Sequence, residues 1–111
     1  MRIIVCENYD EMSKKAAEYV NSLIILKPNS VIGLPTGSTP IGMYDNLANM
    51  NIDFSGVTTF NLDEYYPIKQ DNNQSYYYFM DKHLYSRINL KKENIFIFLR
   101  YKSINSPPML Q

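Results

Sequence analysis

The sequence predicts an α/β fold: a partial doubly wound parallel sheet of about four strands with three helices. Three observations predict it. Short runs rich in β-branched and aromatic residues occur at positions 2–6, 30–35, 57–62 and from 95 onward. Between them lie stretches whose apolar residues recur at helical spacing. The joints carry helix-start and turn residues, such as Asn8, Pro28-Asn29 and Thr39-Pro40. Strands separated by helices of this length imply right-handed crossovers and a parallel, Rossmann-like sheet.

Arg2-Ile3-Ile4-Val5-Cys6 reads as a buried first strand, with Cys6 a small core residue and not a reactive thiol. Asn8 is placed to cap the next helix, and Glu11, three residues on, stands in a capping-box relation to it. Met12, Ala16, Ala17, Tyr19, Val20, Leu23 and Ile24 then make one apolar face, and Lys27-Pro28-Asn29 ends the helix. A second strand covers 30–35. A second helix covers 40–49, with Met43, Tyr44 and Leu47 inward, and a third strand covers 57–62. Pro67 and Asp71-Asn72-Asn73 mark a loop over 65–73. A third helix is expected over 75–88, a turn over 89–94, and Ile95-Phe96-Ile97 begins a fourth strand. Four such strands suit half of a larger sheet. Alone they leave an edge of unpaired backbone groups and a face without a covering helix.

The stretch Gly33-Leu34-Pro35-Thr36-Gly37-Ser38-Thr39-Pro40 is the first candidate site. It leaves an apolar strand through small residues, with Thr39 as the expected N-cap and Pro40 at the first helical position. Helix N-termini carry unpaired N–H groups and partial positive charge, Gly37 permits close backbone approach, and Ser38 and Thr39 add hydroxyls. Phosphate is the natural guest. The same residues also read as an ordinary strand-to-helix turn with good capping.

The second candidate is Thr59-Phe60-Asn61-Leu62-Asp63-Glu64-Tyr65, an apolar run ending in two adjacent acids. Ligands of open α/β sheets bind outside the carboxyl ends of the strands, where Asp63 and the Gly37 loop are both expected. Adjacent strand residues point to opposite faces, so one acid faces the site. The alternative is a pair of solvated loop acids. An aromatic run, Ser75-Tyr76-Tyr77-Tyr78-Phe79-Met80, opens the third helix, and most of its rings are read as core or helix–loop packing.

Together, in order and spacing, these three stretches and the opening Met1-Arg2-Ile3-Ile4 resemble the amino-terminal portion of the glucosamine-6-phosphate deaminase family. The resemblance covers residues 1–97, and 98–111 read as a divergent tail. It implies conversion of glucosamine 6-phosphate and water to fructose 6-phosphate and ammonia, with no metal or organic cofactor. Asp63 matches the family's proton-transfer residue, and Gly37, Ser38 and Thr39 match its phosphate loop. Thr36, Glu64 and Tyr65 are supporting candidates, with Glu64 holding the turn. The expected partner is a small-molecule sugar phosphate, and full-length relatives are expected to be homo-oligomeric. The family's ring-opening Asp, His and Glu and its further basic phosphate ligands belong to a second half that these 111 residues do not include. The expectation is therefore a truncated product, inactive alone, whose origin the downstream DNA sequence would test.

Composition narrows the alternatives. A chain of 111 residues forms one domain at most, and 45% apolar with 20% charged residues is ordinary for a soluble globular protein. Eleven basic residues balance eleven acidic ones, so charge gives no case for nucleic acid or an anionic membrane as partner. One cysteine excludes an internal disulfide, and no Cys/His cluster supports a metal site. The one histidine, His83, falls inside the third helix and is assigned a packing or surface role. No signal-peptide pattern or membrane-length run occurs, and a cytoplasmic location follows by elimination. A 6-phosphogluconolactonase-like hydrolase remains as an alternative, although that group usually has Arg where this chain has Tyr65. A non-enzymatic phosphosugar-binding fragment is the other.

Overall fold

Asn8 starts the first helix as its sequence position predicts: its Oδ1 accepts the Glu11 N–H at 2.8 Å. Glu11 reaches back to the Glu7 N–H at 3.4 Å rather than to Asn8, a loose version of the expected box. The computed structural model describes residues 3–66 and 76–101, with the backbone path alone described for 62–66 and 99–101. Helix α1 spans Tyr9–Leu26, strand β1 Val31–Gly33, helix α2 Ile41–Asn49, strand β2 Thr58–Tyr66, helix α3 Tyr76–His83 and strand β3 Ile95–Tyr101. Short 3₁₀ turns at Tyr85–Arg87 and Lys92–Asn94 lead from α3 to β3.

The sheet is parallel, in the order β1-β2-β3. Val31 pairs with Thr58 and Gly33 with Phe60; Thr59 pairs with Ile95 and Asn61 with Ile97. The α/β class and parallel sheet are as the sequence predicts, but among the described residues the strands number three, not about four. Residues 3–6 form no strand, and Ile3, Ile4 and Val5 are exposed. Cys6 is half-buried, lining with Ile4 an open groove against Met12, Ala16 and Met43, so it is not the strand-core residue expected. The physical reason is that β-propensity says a run can pair, not which surface it meets. Here the run lies against the helices.

Other boundaries shift for local causes. The third helix stops at His83 instead of continuing to 88, because Leu84 takes φ −141° and the chain tightens into a 3₁₀ turn. The strand expected over 57–62 continues to Tyr66, taking in the first residues of the expected 65–73 loop; the rest of that loop, and Ser75, lie outside the described residues. Strand β3 extends to Tyr101, so residues 98–101 of the expected tail lengthen the sheet, while 102–111 lie outside the described residues.

The core gathers Ala17 and Ile24 of α1, Tyr44 and Leu47 of α2, Phe54 and Val57 before β2, and Met80, Leu84 and Tyr85. Tyr44 and Leu47 are inward as expected, with Met43 packed partly against them. On α1, by contrast, Met12, Tyr19 and Leu23 stay exposed while Ser13 is buried. The buried stripe is turned toward α2, where Gly42 lets the two helices approach. A Cβ at Gly42 would press on Ser13 Oγ, on Tyr9 Cε2 at 2.8 Å and on Ser13 Cβ at 2.9 Å. Gly42→Ala should therefore destabilise the chain by about 1–2 kcal/mol, overpacking outweighing alanine's better helix propensity. Chemical denaturation checks this; a variant as stable as the wild type would mean that the helices separate without cost.

Candidate functional site

Strand β1 ends at Gly33, and the chain leaves the carboxyl edge of the sheet through Leu34-Pro35-Thr36-Gly37. The Leu34 N–H still bonds the Phe60 carbonyl at 3.0 Å, which fixes where the loop begins. Gly37 has φ +104°, a conformation that side-chain-bearing residues rarely adopt, so the glycine is needed for its backbone and not for space. A cleft of about 440 Å³ opens at this edge, lined by Leu34, Pro35, Thr36, Phe60, Asn61 and Tyr76, with Gly33 at its base. Its size is in the range of small-ligand pockets.

Three side chains from three elements bind the backbone of the loop. The Asn61 amide donates to the Leu34 carbonyl, and the Tyr44 hydroxyl donates to the Pro35 carbonyl. The Tyr9 hydroxyl reaches the Ser38 and Thr39 carbonyls at 3.2 and 3.0 Å and accepts the Gly42 N–H at 2.8 Å. Thr39 is therefore not the N-cap. That position falls to Pro40, which makes no side-chain cap bond, because the Tyr9 hydroxyl already occupies the acceptor role at the helix start.

Behind Asn61 lies a buried chain of hydrogen bonds. The Tyr85 hydroxyl donates to Asn61 Oδ1 at 3.1 Å, and the Thr59 hydroxyl lies 3.1 Å from the Tyr85 oxygen. Asn61 and Thr59 are each only 2% exposed, so these polar groups depend on one another. Burial pushes the Tyr85 phenol above its ordinary pKa, against the lowering effect of Thr59. Burial, with a smaller contribution from Tyr85, pushes Tyr44 higher still. Both phenols stay protonated at neutral pH and act as donors.

Thr36 lines the cleft, and Gly37, Ser38 and Thr39 stand exposed beside it. Asp63 and Glu64 do not follow the strand, as the sequence suggests; both lie within β2. The cause is that β1 stops pairing at Phe60 while β3 continues to pair with β2, Glu64 opposite Leu99 and Tyr65 opposite Arg100. Asp63 thus lies beyond the end of β1, on the same carboxyl edge as the Gly37 loop. The register slips between Asn61 and Glu64, and such irregularities redirect side chains near functional sites. The side chains of Asp63, Glu64 and Tyr65 lie outside the described residues.

Among the aromatic run, Tyr76 lines the cleft, Tyr77 lies 6.3 Å from the Tyr85 ring, and Phe79 packs on His83 at 4.5 Å between ring centres. His83 thus has the packing role expected of it. Asp53 is the carboxylate held far down, at about 2, mainly by hydrogen bonds from Ser55 and then Asn89. It precedes β2 at the opposite end of the sheet and caps a turn. Tyr9, Tyr44 and Tyr85 are what sequence reasoning missed as site residues; a hydroxyl reaching 33 residues along the chain leaves no local signal.

The parallel sheet places the chain in an α/β fold shared with a solved 6-phosphogluconolactonase from Thermotoga maritima, which superposes with TM-score 0.68 over 96% of this chain and 46% of its own, at 23% identity, a likeness of fold alone. The particular resemblance is to the amino-terminal portion of glucosamine-6-phosphate deaminases. A solved monomeric glucosamine-6-phosphate deaminase superposes with TM-score 0.83 at 37% identity, over 87% of this chain and 42% of its own. Glucosamine-6-phosphate deaminase of Clostridium botulinum (strain Eklund 17B / Type B) is 58% identical over 101 residues, covering 87% of this chain and 41% of that relative. That of Clostridioides difficile (strain 630) is 57% identical over 98 residues, covering 85% and 39%. The chain thus spans about two fifths of the length of the relatives it matches. No family model matches it. Since the solved relative is monomeric, the homo-oligomeric state implied by the resemblance is not general among similar proteins. Among the described residues no helix is long and apolar enough to cross a membrane.

Proposed function

We propose that this chain forms the sugar-phosphate-binding amino-terminal part of a cytoplasmic glucosamine-6-phosphate deaminase. The reading is supported by the register, in which the Asp63 segment of β2 lies past the last residue paired with β1, where the loop to Gly37 leaves the sheet beside a cleft lined by Thr36, Asn61 and Tyr76. Gly37, Ser38 and Thr39 receive the phosphate through backbone N–H groups and hydroxyls, and Thr36 lines the approach. Asp63 removes the C2 proton of the opened sugar and returns it to C1, while the aldehyde oxygen takes up a proton from solvent; C1 becomes a hydroxymethyl carbon and C2 an imine, which water hydrolyses to the C2 ketone and ammonia. One carboxylate serves both steps when it lies on one face of the planar intermediate. Glu64 and Tyr65 hold the strand in position behind it. Phosphate binding away from the reacting carbons supplies orientation. The chemistry is isomerisation with loss of ammonia, and these residues require no cofactor for it.

The test is direct. The 111-residue chain should bind glucosamine 6-phosphate in a thermal-shift or calorimetric titration yet release no ammonia above background, because ring opening needs groups that the chain does not supply. Turnover abolished by Asp63→Asn would show that these residues suffice. Hydrolysis of 6-phosphogluconolactone, with no binding of the amino sugar, would assign the cleft to the lactonase reaction instead.

A further inference from the structure

Loops that receive anions through backbone N–H groups bind well only when they are already shaped, because the ordering cost then falls on folding and not on binding. The loop over 34–42 is short of internal means to hold its shape. Gly37, Ser38 and Thr39 are exposed, and Pro40 has no N–H to give. Three of the first four helical donors of α2 are already engaged. The Ile41 N–H turns back to the Ser38 carbonyl at 3.4 Å, the Gly42 N–H goes to Tyr9, and the Tyr44 N–H goes to the Pro40 carbonyl at 3.0 Å. An anion at this edge is therefore met by the N–H groups of the loop itself, and their directions depend on the carbonyls beside them. Two of those carbonyls are held from outside the loop: Pro35 by Tyr44, in the peptide unit of the Thr36 N–H, and Ser38 by Tyr9, in that of the Thr39 N–H; the Leu34 and Thr39 carbonyls, held by Asn61 and Tyr9, precede prolines and fix the path of the chain.

We propose that Tyr9 is a positioning residue for the anion loop, acting with Tyr44 and Asn61 as a three-point clamp that fixes the backbone of 34–42 before a ligand arrives. The proposal rests on the phosphate-loop reading above. It assigns α1 a role in ligand affinity, although α1 does not line the cleft. Tyr9 is the member that can be tested without harm to the core: it is 45% exposed, whereas Tyr44 is fully buried and Asn61 nearly so.

The experiment uses the 111-residue chain, its Tyr9→Phe variant and, as a second variant, Tyr44→Phe. Amide hydrogen exchange is measured across the chain, and inorganic phosphate and glucosamine 6-phosphate are titrated. In Tyr9→Phe, exchange over 37–42 should rise about tenfold, the size of one to two net hydrogen bonds, with exchange in the middle of α1 and in β2 unchanged. Phosphate binding should weaken by a similar factor. Tyr44→Phe should show its local acceleration at 36–37. Loop exchange equal to the wild type would overturn the proposal. So would uniform acceleration along the whole chain, which would make Tyr9 a stability residue only. Tighter phosphate binding by Tyr9→Phe would also overturn it, since the hydroxyl would then be a placeholder in the anion's seat. If the wild-type chain binds neither anion, the phosphate reading fails by itself, and the exchange pattern still decides whether the clamp exists.

Discussion

Asn61→Leu is expected to destabilise the chain by about 2–5 kcal/mol, although the two side chains share the same branched arrangement of heavy atoms. The size follows from what Asn61 satisfies. Its amide is the donor to the Leu34 carbonyl, and its oxygen is the acceptor for the Tyr85 hydroxyl, all of it at 2% exposure. A leucine there leaves the buried Leu34 carbonyl without its Asn61 donor and the Tyr85 hydroxyl with Thr59 alone, each lost partner costing about 1–3 kcal/mol. That is a large part of the roughly 5–15 kcal/mol that holds an ordinary domain together. Urea unfolding of the wild type, Asn61→Leu, Tyr85→Phe and the double variant checks the assignment. The double variant should be less destabilised than the sum, because both single changes remove the same Tyr85–Asn61 hydrogen bond. A loss below about 1 kcal/mol for Asn61→Leu would mean that water reaches the Leu34 carbonyl and that the network is not closed.

This network also shows what the sequence could and could not reveal. Periodicity and caps are local, so Asn8, the helical spacing of α1 and α2, and the β-branched strands were legible, as was the order of two motifs along one sheet edge. Asn61 stood in plain view between Phe60 and Leu62 inside a motif. Its partners come from 27 residues before and 24 after, and nothing local marks them. Tyr9 is the same case: Thr39 has the residue type of an N-cap, but the position of a phenol from α1 decides that the cap is not needed. The misread first strand has a different origin. Ile3, Ile4 and Val5 have the composition of a strand, while pairing depends on a neighbouring edge that composition does not identify. Likewise, the acids looked terminal because the apolar run stops at Leu62, whereas β2 is prolonged by backbone pairing with β3 through Tyr66.

Asp63→Asn should separate binding from chemistry in a full-length deaminase carrying this strand. Asparagine keeps the shape of the side chain and cannot accept the C2 proton. Positioned general bases contribute about 10²–10⁴ in rate, so kcat should fall by about that factor. KM should move by only a few fold, because in the proposed reading the phosphate is held by the loop after β1 and not by β2. Exchange of the C2 proton with solvent, measured by isotope incorporation, should vanish together with turnover. The pH profile gives a further reading. A carboxylate acts as a base only when ionised, so the wild type loses activity on the acid side as Asp63 is protonated. The asparagine variant has no such group, and its residual rate should be flat over that limb. Glu64→Gln makes the contrast: Glu64 resumes the pairing with Leu99 beyond the register slip, so its change should alter stability more than the proton-transfer rate. A raised KM with unchanged kcat in Asp63→Asn would assign the carboxylate to substrate binding. Solvent exchange at C2 persisting without it would place the base on another residue.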